Sequence, residues 1–320
     1  MSIWAILLTS VLAVGGIATF WFLRKRQRIL AKYKRLPART TAPAPAITPA
    51  TTGNLRDFDG KVAVVTGGGT GLGRAIALSL ARRGAKVVVA SRKLENLQPV
   101  VDEITAAGGE AMAFAFDVRN YEQVEQLLAK TKERCGRVDI LVNNAAGNFY
   151  IPAQNLTPNG WNAVIGIVLN GTWYCSHVIG NEMIKQGGGQ ILNIVANYAW
   201  SGQPGVVHSC AAKAGVLAMT RTLAVEWGGY GVRVNALAPG AMVTEGASTN
   251  LKFDSDDAQE KIKKYVPVGR LTSPEEMAET ALFMMSPTAA YITGEVLCAD
   301  GGQWLPRGWM DLVDENGKPR

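Results

Sequence analysis

Three observations predict an α/β fold built on a doubly wound parallel sheet. From Lys61 onward, short β-branched runs alternate with helical stretches, most of 12 or more residues. The first, VAVVT, is a continuous β-branched run, as in a strand buried on both faces, and KVVVAS is a second of the kind. A glycine cluster lies between the first run and the first helical stretch, where a nucleotide-binding sheet carries one. Alternation of this kind implies right-handed crossovers and a sheet covered on both sides. The expected architecture is a Rossmann-like domain of about seven strands over residues 58–305, preceded by one transmembrane helix.

The strand candidates follow in order. VAVVT (62–66) comes first, then a helical stretch to Arg83, then KVVVAS (86–91). EAMAFAF (110–116), VDILVNN (138–144), GQILNIV (189–195), VRVNALA (232–238) and EVLCA (295–299) complete the set. No internal repeat and no second folded domain are visible.

Ahead of the domain, Ile3 to Leu23 is 21 residues without a charge. A helix of that length spans about 30 Å, the hydrocarbon thickness of a bilayer. Trp4, Trp21 and Phe22 stand near its ends, where interfacial aromatics belong. Residues 24–39 then carry Arg24, Lys25, Arg26, Arg28, Lys32, Lys34, Arg35 and Arg39 and no acid. The positive-inside rule puts the chain after residue 23 in the cytoplasm and Met1 outside. The expectation is a single-pass membrane protein with a cytoplasmic catalytic domain. A cleaved signal peptide would place its basic residues before a shorter apolar run; here they follow it. The basic stretch can rest on anionic headgroups or serve only as a topology signal. Residues 37–53, PARTTAPAPAITPATTG, read as an extended, semi-stiff linker. The chain thus divides into an anchor (1–23), a basic and Pro/Ala/Thr-rich segment (24–57), the domain (58–305) and a tail (306–320).

Charge and cysteine content exclude several classes. The 320 residues hold 33 Lys+Arg against 26 Asp+Glu, a net charge of +7. Eight of those basic residues lie in 24–39, which leaves 25 basic against 26 acidic elsewhere, a net of −1. The folded part therefore offers no basic face for nucleic acid. With 48% apolar and 18% charged residues the chain is not mostly disordered. Cys135, Cys175, Cys210 and Cys298 lie far apart and only His177 and His208 accompany them. No structural zinc site and no disulfide framework are expected, which points to a reducing compartment. Both histidines and all four cysteines read as packed groups.

The glycine cluster is Thr66-Gly67-Gly68-Gly69-Thr70-Gly71-Leu72-Gly73-Arg74. Its glycines allow a tight turn and close approach to a pyrophosphate, with the N–H groups of the following helix aimed at that charge. The cofactor is read at the end of the second strand. A chain selecting NAD usually places an acid there for the ribose 2′-OH. This chain has Ser91-Arg92-Lys93 instead. A guanidinium suits a 2′-phosphate, so NADP(H) is expected. The alternative is a loop charge facing solvent.

The spacing T-G-x-x-x-G-x-G resembles the short-chain dehydrogenase/reductase family. Further landmarks appear in order: Asp117 with Val118 after the third strand, Asn143-Asn144-Ala145-Ala146-Gly147 after the fourth, Asn170 in a helix, Lys213, then Pro239-Gly240 and Thr244 after the sixth strand. The resemblance implies that Asp117 contacts adenine and that Pro239, Gly240 and Thr244 flank the nicotinamide. The chain departs from the family's Tyr-x-x-x-Lys pair, because Ser209 stands where Tyr is expected before Lys213. An ordinary carbonyl–alcohol dehydrogenase is therefore disfavoured. Tyr198 lies 15 residues before Lys213, and Asn148-Phe149 extends the fourth-strand motif. With Val168-Leu169-Asn170-Gly171-Thr172 and His208-Ser209, the pattern resembles the 2,4-dienoyl-CoA reductase branch.

That branch implies a catalytic set of Tyr198, Asn148, Lys213, Ser209 and Asn170. Tyr198 and Asn148 would hold the thioester oxygen, Lys213 the nicotinamide ribose, and Ser209 would orient substrate or cofactor. The packing alternatives are an aromatic at a strand end for Tyr198 and a loop cap for Asn148. The implied substrate is acyl-CoA-like and the implied product a 3-enoyl-CoA. A 2-enoyl or other enone reductase, a ketone reductase with a relocated Tyr, and a silent NADPH-binding scaffold stay open. The family also implies a homo-oligomer, tetramer or dimer. Residues between Thr244 and Val268 read as a loop that caps the substrate.

Overall fold

Valine is the commonest residue of the strands, and in the computed structural model the strands form one seven-stranded parallel sheet. Described residues are Arg24, 56–242, Thr244, Gln259 and 265–305. The apolar segment 3–23, the linker, most of the loop after Thr244 and the tail lie outside them. The chain divides into two compact units, Met1–Thr40 and Thr41–Arg320. All described residues but Arg24 belong to the second.

The strands are β1 (Val62–Thr66), β2 (Lys86–Ser91), β3 (Ala111–Ala115), β4 (Ile140–Asn143), β5 (Gly189–Ile194), β6 (Val232–Pro239) and β7 (Val296–Ala299). Their order across the sheet is β3-β2-β1-β4-β5-β6-β7. β1 and β2 pair in register from Val62 opposite Lys86 to Thr66 opposite Ala90. On its other edge β1 meets β4, with Ala63 opposite Ile140. The order reverses direction between these two pairings, which opens a crevice beyond the carboxyl ends of β1 and β4.

Helices cover both faces. On one lie α1 (Gly71–Arg82), α2 (Leu94–Ala106) and α8 (Pro274–Met285). Leu72, Ala75, Ile76 and Leu80 of α1 recur at helical spacing and pack with Ala278, Ala281 and Leu282 of α8 over β1 and β2. On the other face lie α3 (Tyr121–Cys135), α4 (Pro158–Ile165), α5 (Gly171–Gln186) and α7 (Val207–Trp227). Val164, Ala212, Val216 and Leu217 pack there against Ala236 and Ala238 of β6. α6 (Tyr198–Ser201) is a single turn after β5.

Local signals set the helix ends. Asn120 caps α3 by accepting from Gln123 N–H, and Gly136 closes it at φ 79°. Ser273 and Glu276 form a reciprocal capping box on α8, with Pro274 at its first position. α4 and α5 join through a π-helical turn at Gly166–Asn170. The run Pro158–Gln186 is long and apolar enough to cross a membrane, but half of its apolar window is buried in this domain. It is a core helix.

Candidate active site

Each expected site residue lies at or just beyond the carboxyl end of a strand, or on α7, α1 or the π-helical turn. Two glycines explain the first crevice wall. Gly67 and Gly71 hold φ +63° and +51°, a region that side chains avoid. A Cβ at Gly73 would collide with the Gly67 carbonyl oxygen and the Asn144 amide, so α1 can approach β1 only here. Gly69 meets the Asn96 carbonyl of α2 in the same way, at 2.9 Å from a built Cβ. Thr70 precedes α1 without using its hydroxyl as a cap, and no acid stands in the first turn. The leading N–H groups of α1 thus face the crevice with no acidic side chain from that turn on them.

Thr66 and Asn144 act as struts for this turn. Thr66 Oγ1 accepts from the N–H groups of Asn144 and Ala145, each at 3.0 Å, and donates to Val142 O at 3.2 Å. Asn144 Nδ2 donates to the carbonyls of Thr66 and Gly67 at 3.1 Å. Their side chains are engaged by the protein; what they offer a nucleotide is the shape of the turn. Leu72, in the first turn of α1, is buried. Thr244 lies against Gly71, its Cβ 3.2 Å from a built glycine Cβ.

The second strand ends in Ser91, whose hydroxyl reaches Lys93 O at 3.5 Å. Lys93 pairs with Glu95 at 3.6 Å in solvent. Arg92 makes no hydrogen bond or ion pair with the described residues, and lies close enough to Asp117 to help lower its pKa. The larger cause is Arg119, which holds the Asp117 carboxyl through hydrogen bonds at 3.0 and 2.5 Å. This pairing was not legible in the sequence, although Arg119 is only two residues on. Asp117, Arg119, Asn120 and Tyr121 line an open cavity of about 570 Å³ beyond the end of β3. Val118 is buried against Gly171.

At the end of β5 the catalytic candidates converge. Tyr198 Oη lies 3.0 Å from Ser209 Oγ. Ser209 and Lys213, four apart on α7, share a helix face and are both buried. Lys213 Nζ donates to Ile194 O, the last residue of β5, at 2.5 Å. Burial pulls the Lys213 pKa down to about 8. Burial also raises the Tyr198 pKa, opposed by the Ser209 hydrogen bond, so the phenol keeps its proton at neutral pH. Cys210 and Tyr150 add smaller upward contributions, which places both near the phenol.

Asn148 sits on the loop after β4. Its Oδ1 accepts from Phe149 N–H at 2.9 Å, and its amide NH₂ has no partner among the described residues. Phe149 in turn stacks edge-on against His208, with centroids 4.5 Å apart. His208 is fully buried, and burial pushes its pKa down against the opposing pull of a backbone contact with Val206. Asn170 closes the π-helical turn, exposed, one residue from Leu169, which packs on Gly215 of α7. Pro239 ends β6, and Gly240 lies so close to Asp300 that a Cβ would come 2.7 Å from its Cα. Asp300 was missed in the sequence, because its partner Asn197 is 103 residues away.

The arrangement offers a glycine turn at a helix start without acid, a phenol bonded to Ser209, an amide with N–H groups to give, and a buried amine on Ile194. Residues 67–303 match the family described as "Enoyl-(Acyl carrier protein) reductase". A Bacillus subtilis (strain 168) protein named "Probable 2,4-dienoyl-CoA reductase [(2E)-enoyl-CoA-producing]" is 48% identical over 247 residues, 77% of this chain and 97% of that one. A Danio rerio protein named "Peroxisomal 2,4-dienoyl-CoA reductase [(3E)-enoyl-CoA-producing]" is 43% identical over 255 residues, 77% of this chain and 82% of that one. Among solved structures, a gluconate 5-dehydrogenase from Burkholderia cenocepacia J2315 in complex with NADP and tartrate superimposes with a TM-score of 0.74 at 30% identity, covering 78% of this chain and 97% of that one. The chain belongs to the short-chain dehydrogenase/reductase family of oxidoreductases.

Proposed function

We propose that the chain reduces a conjugated acyl thioester with NADPH, converting 2,4-dienoyl-CoA to 3-enoyl-CoA. The observation that carries this reading is the Tyr198–Ser209 hydrogen bond at 3.0 Å, in a chain with no Tyr four residues before Lys213. The dienoyl-CoA reductase names of two relatives support it.

The glycine turn fits a dinucleotide. Gly67, Gly69 and Gly73 leave no room for side chains, and the first turn of α1 carries no acid. Gly71, Thr70 and the N–H groups of α1 would hold the pyrophosphate, with Leu72 buried in that first turn. Arg92, flanked by Ser91 and Lys93, would hold the 2′-phosphate. Asp117 and Val118 would border the adenine, and Asn144, Ala145, Pro239, Gly240 and Thr244 the nicotinamide side. NADPH, when bound, supplies the hydride.

The chain's own residues manage charge and protons. Charge builds on the thioester oxygen as the far end of the diene is reduced. With Ser209 as the donor to Tyr198 Oη, the phenolic O–H is left for that oxygen. Asn148 donates its free amide N–H. Each such preorganised donor is typically worth about 3 kcal/mol in a dry site. Lys213 gives one hydrogen to Ile194 O and has others for the ribose. Asn170 shapes the turn that backs α7.

The site of protonation decides the product. A proton at the α-carbon leaves a 3-enoyl thioester, and one at the γ-carbon a 2-enoyl thioester. The names of the two relatives divide on this point. The experiment is NADPH oxidation by the full chain with 2,4-hexadienoyl-CoA, beside 2-hexenoyl-CoA and a β-ketoacyl-CoA, with chromatography of the product. Fast dienoyl turnover to 3-hexenoyl-CoA is expected. Turnover of the β-ketoacyl thioester alone would make the chain a ketone reductase, and nucleotide binding without any turnover a scaffold.

We further read Ile3 to Leu23 as a single-pass anchor, with the domain on the cytoplasmic side and assembled as a dimer or tetramer. The support for the anchor is the charge-free run and the eight basic residues after it.

A further inference from the structure

We propose that Asp300 is a positioning residue for Tyr198, acting through Asn197. The inference rests on the reading of Tyr198 as the donor to the substrate oxygen.

α6 is four residues long and cannot hold itself. Gly202, directly after it, has φ +73° with open space around it. Among the described residues, two side-chain hydrogen bonds tie this turn to other elements. One is Tyr198 to Ser209. The other is Asn197 Nδ2 to Asp300 Oδ2, at 2.8 Å. The first fixes the phenol tip and the second fixes the backbone next to Tyr198. Together they set the direction of the ring.

Asp300 is suited to that task. It follows β7 directly and its side chain is buried, with the residue 5% exposed. Its Oδ1 accepts from Gly302 N–H at 3.0 Å, and its Oδ2 also accepts from Trp304 N–H at 2.8 Å. Asn197, Gly302 and Trp304 are all donors, and the Cys298 thiol also bonds this carboxyl, so only an acceptor without hydrogens satisfies them together. The loop after β6 rests on the same residue at Gly240. Trp304 completes the contact edge-on against Trp200 of α6, with ring centroids 5.6 Å apart. Asp300 therefore joins the Tyr198 turn to the loop that borders the nicotinamide side, and sets the distance between the two.

The test uses the full chain as wild type, Asp300→Asn, Asn197→Asp and the double swap. In the swap, the amide introduced at position 300 can donate to the carboxylate introduced at position 197, while the amide oxygen still accepts a backbone N–H. Asn197→Ala is included because it leaves the backbone bonds of Asp300 in place. The substrate is whichever of the dienoyl, 2-enoyl and β-ketoacyl thioesters the wild type reduces fastest. Each single variant is expected to lose about 10- to 100-fold in kcat, with the KM for NADPH changed less than about threefold. The double swap is expected to recover part of the kcat that each single variant loses, since the amide at position 300 leaves the Trp304 N–H without its acceptor. Single variants with wild-type kcat would overturn the proposal. So would a swap no better than its parents, or a parallel loss of kcat, NADPH affinity and melting temperature. A wild type that reduces another of the three thioesters but not the dienoyl overturns only the substrate reading. A wild type that reduces none overturns both.

Discussion

At the scale of single residues, charge and burial make the sharpest predictions. Arg92 makes no close ion pair among the described residues, only a longer-range attraction to Asp117 that Arg119 already satisfies, so its removal leaves little to repair. Arg92→Ala is expected to weaken NADPH binding about 10- to 100-fold, as loss of a charge-assisted bond does. Binding of NADH should be unchanged in the same calorimetric titration; equal affinity for NADPH in variant and wild type would make Arg92 a solvent-facing loop charge. Lys213 predicts a pH dependence. Its folded pKa is about 8 against an ordinary value of 10.5. Between those values the unfolded chain binds more protons, so this residue makes stability rise with pH across that window. Activity runs the other way, because the ammonium loses its charge above pH about 8. The kcat/KM profile, which reports the free enzyme, should fall above that pH, and Lys213→Arg should move the limb upward. A limb that stays in place would assign it to another group. Tyr198, Asn148 and Lys213 were singled out through a family resemblance. The Arg119–Asp117 pair and the Asn197–Asp300 bond were not, since charge and amide residues carry no periodicity that names a partner.

Elements were legible where burial is continuous. β1 and β2 have the bounds their apolar runs predict, because every residue between the ends is covered on both faces. β4 is shorter than the expected 138–144. Val138 N–H bonds the Gln186 side chain, the Asp139 carboxyl takes Val62 N–H, and Asn144 N–H turns to Thr66 Oγ1. Side chains take the ladder's place at Val138 and Asn144, while Asp139 keeps backbone bonds to Val62 and Gln190; an apolar pattern does not reveal this. The π-helical turn before Asn170 was equally invisible, since the run reads as one unbroken helix. Helix approach gives a paired prediction. Gly73→Ala drives a methyl into Gly67 and Asn144 and should cost about 1–3 kcal/mol, together with NADPH affinity. Gly228→Ala meets nothing and should stay within about 0.5 kcal/mol. Thermal melts of both variants decide it; equal melting temperatures would mean that α1 does not sit on the turn as described.

At the scale of the whole molecule, the sheet order brings the loops of β1, β4, β5, β6 and β7 to one edge, and alternation of strand and helix was enough to foresee that. The anchor is a separate claim, carried by residues 3–23. Full-length protein in membranes should stay in the pellet after washes in high salt and in alkaline carbonate. Release by salt alone would mean that the basic stretch merely rests on headgroups. The central claim is that a phenol displaced from its usual place on α7 serves a conjugated thioester from the end of β5. The most direct measurement is steady-state reduction of 2,4-hexadienoyl-CoA by wild type and Tyr198→Phe, with NADPH affinity taken in parallel. The account predicts rapid turnover by the wild type, a loss of about 10²–10³ in kcat for the variant, and nearly unchanged NADPH binding. Undiminished turnover by Tyr198→Phe, or none by the wild type, would contradict it.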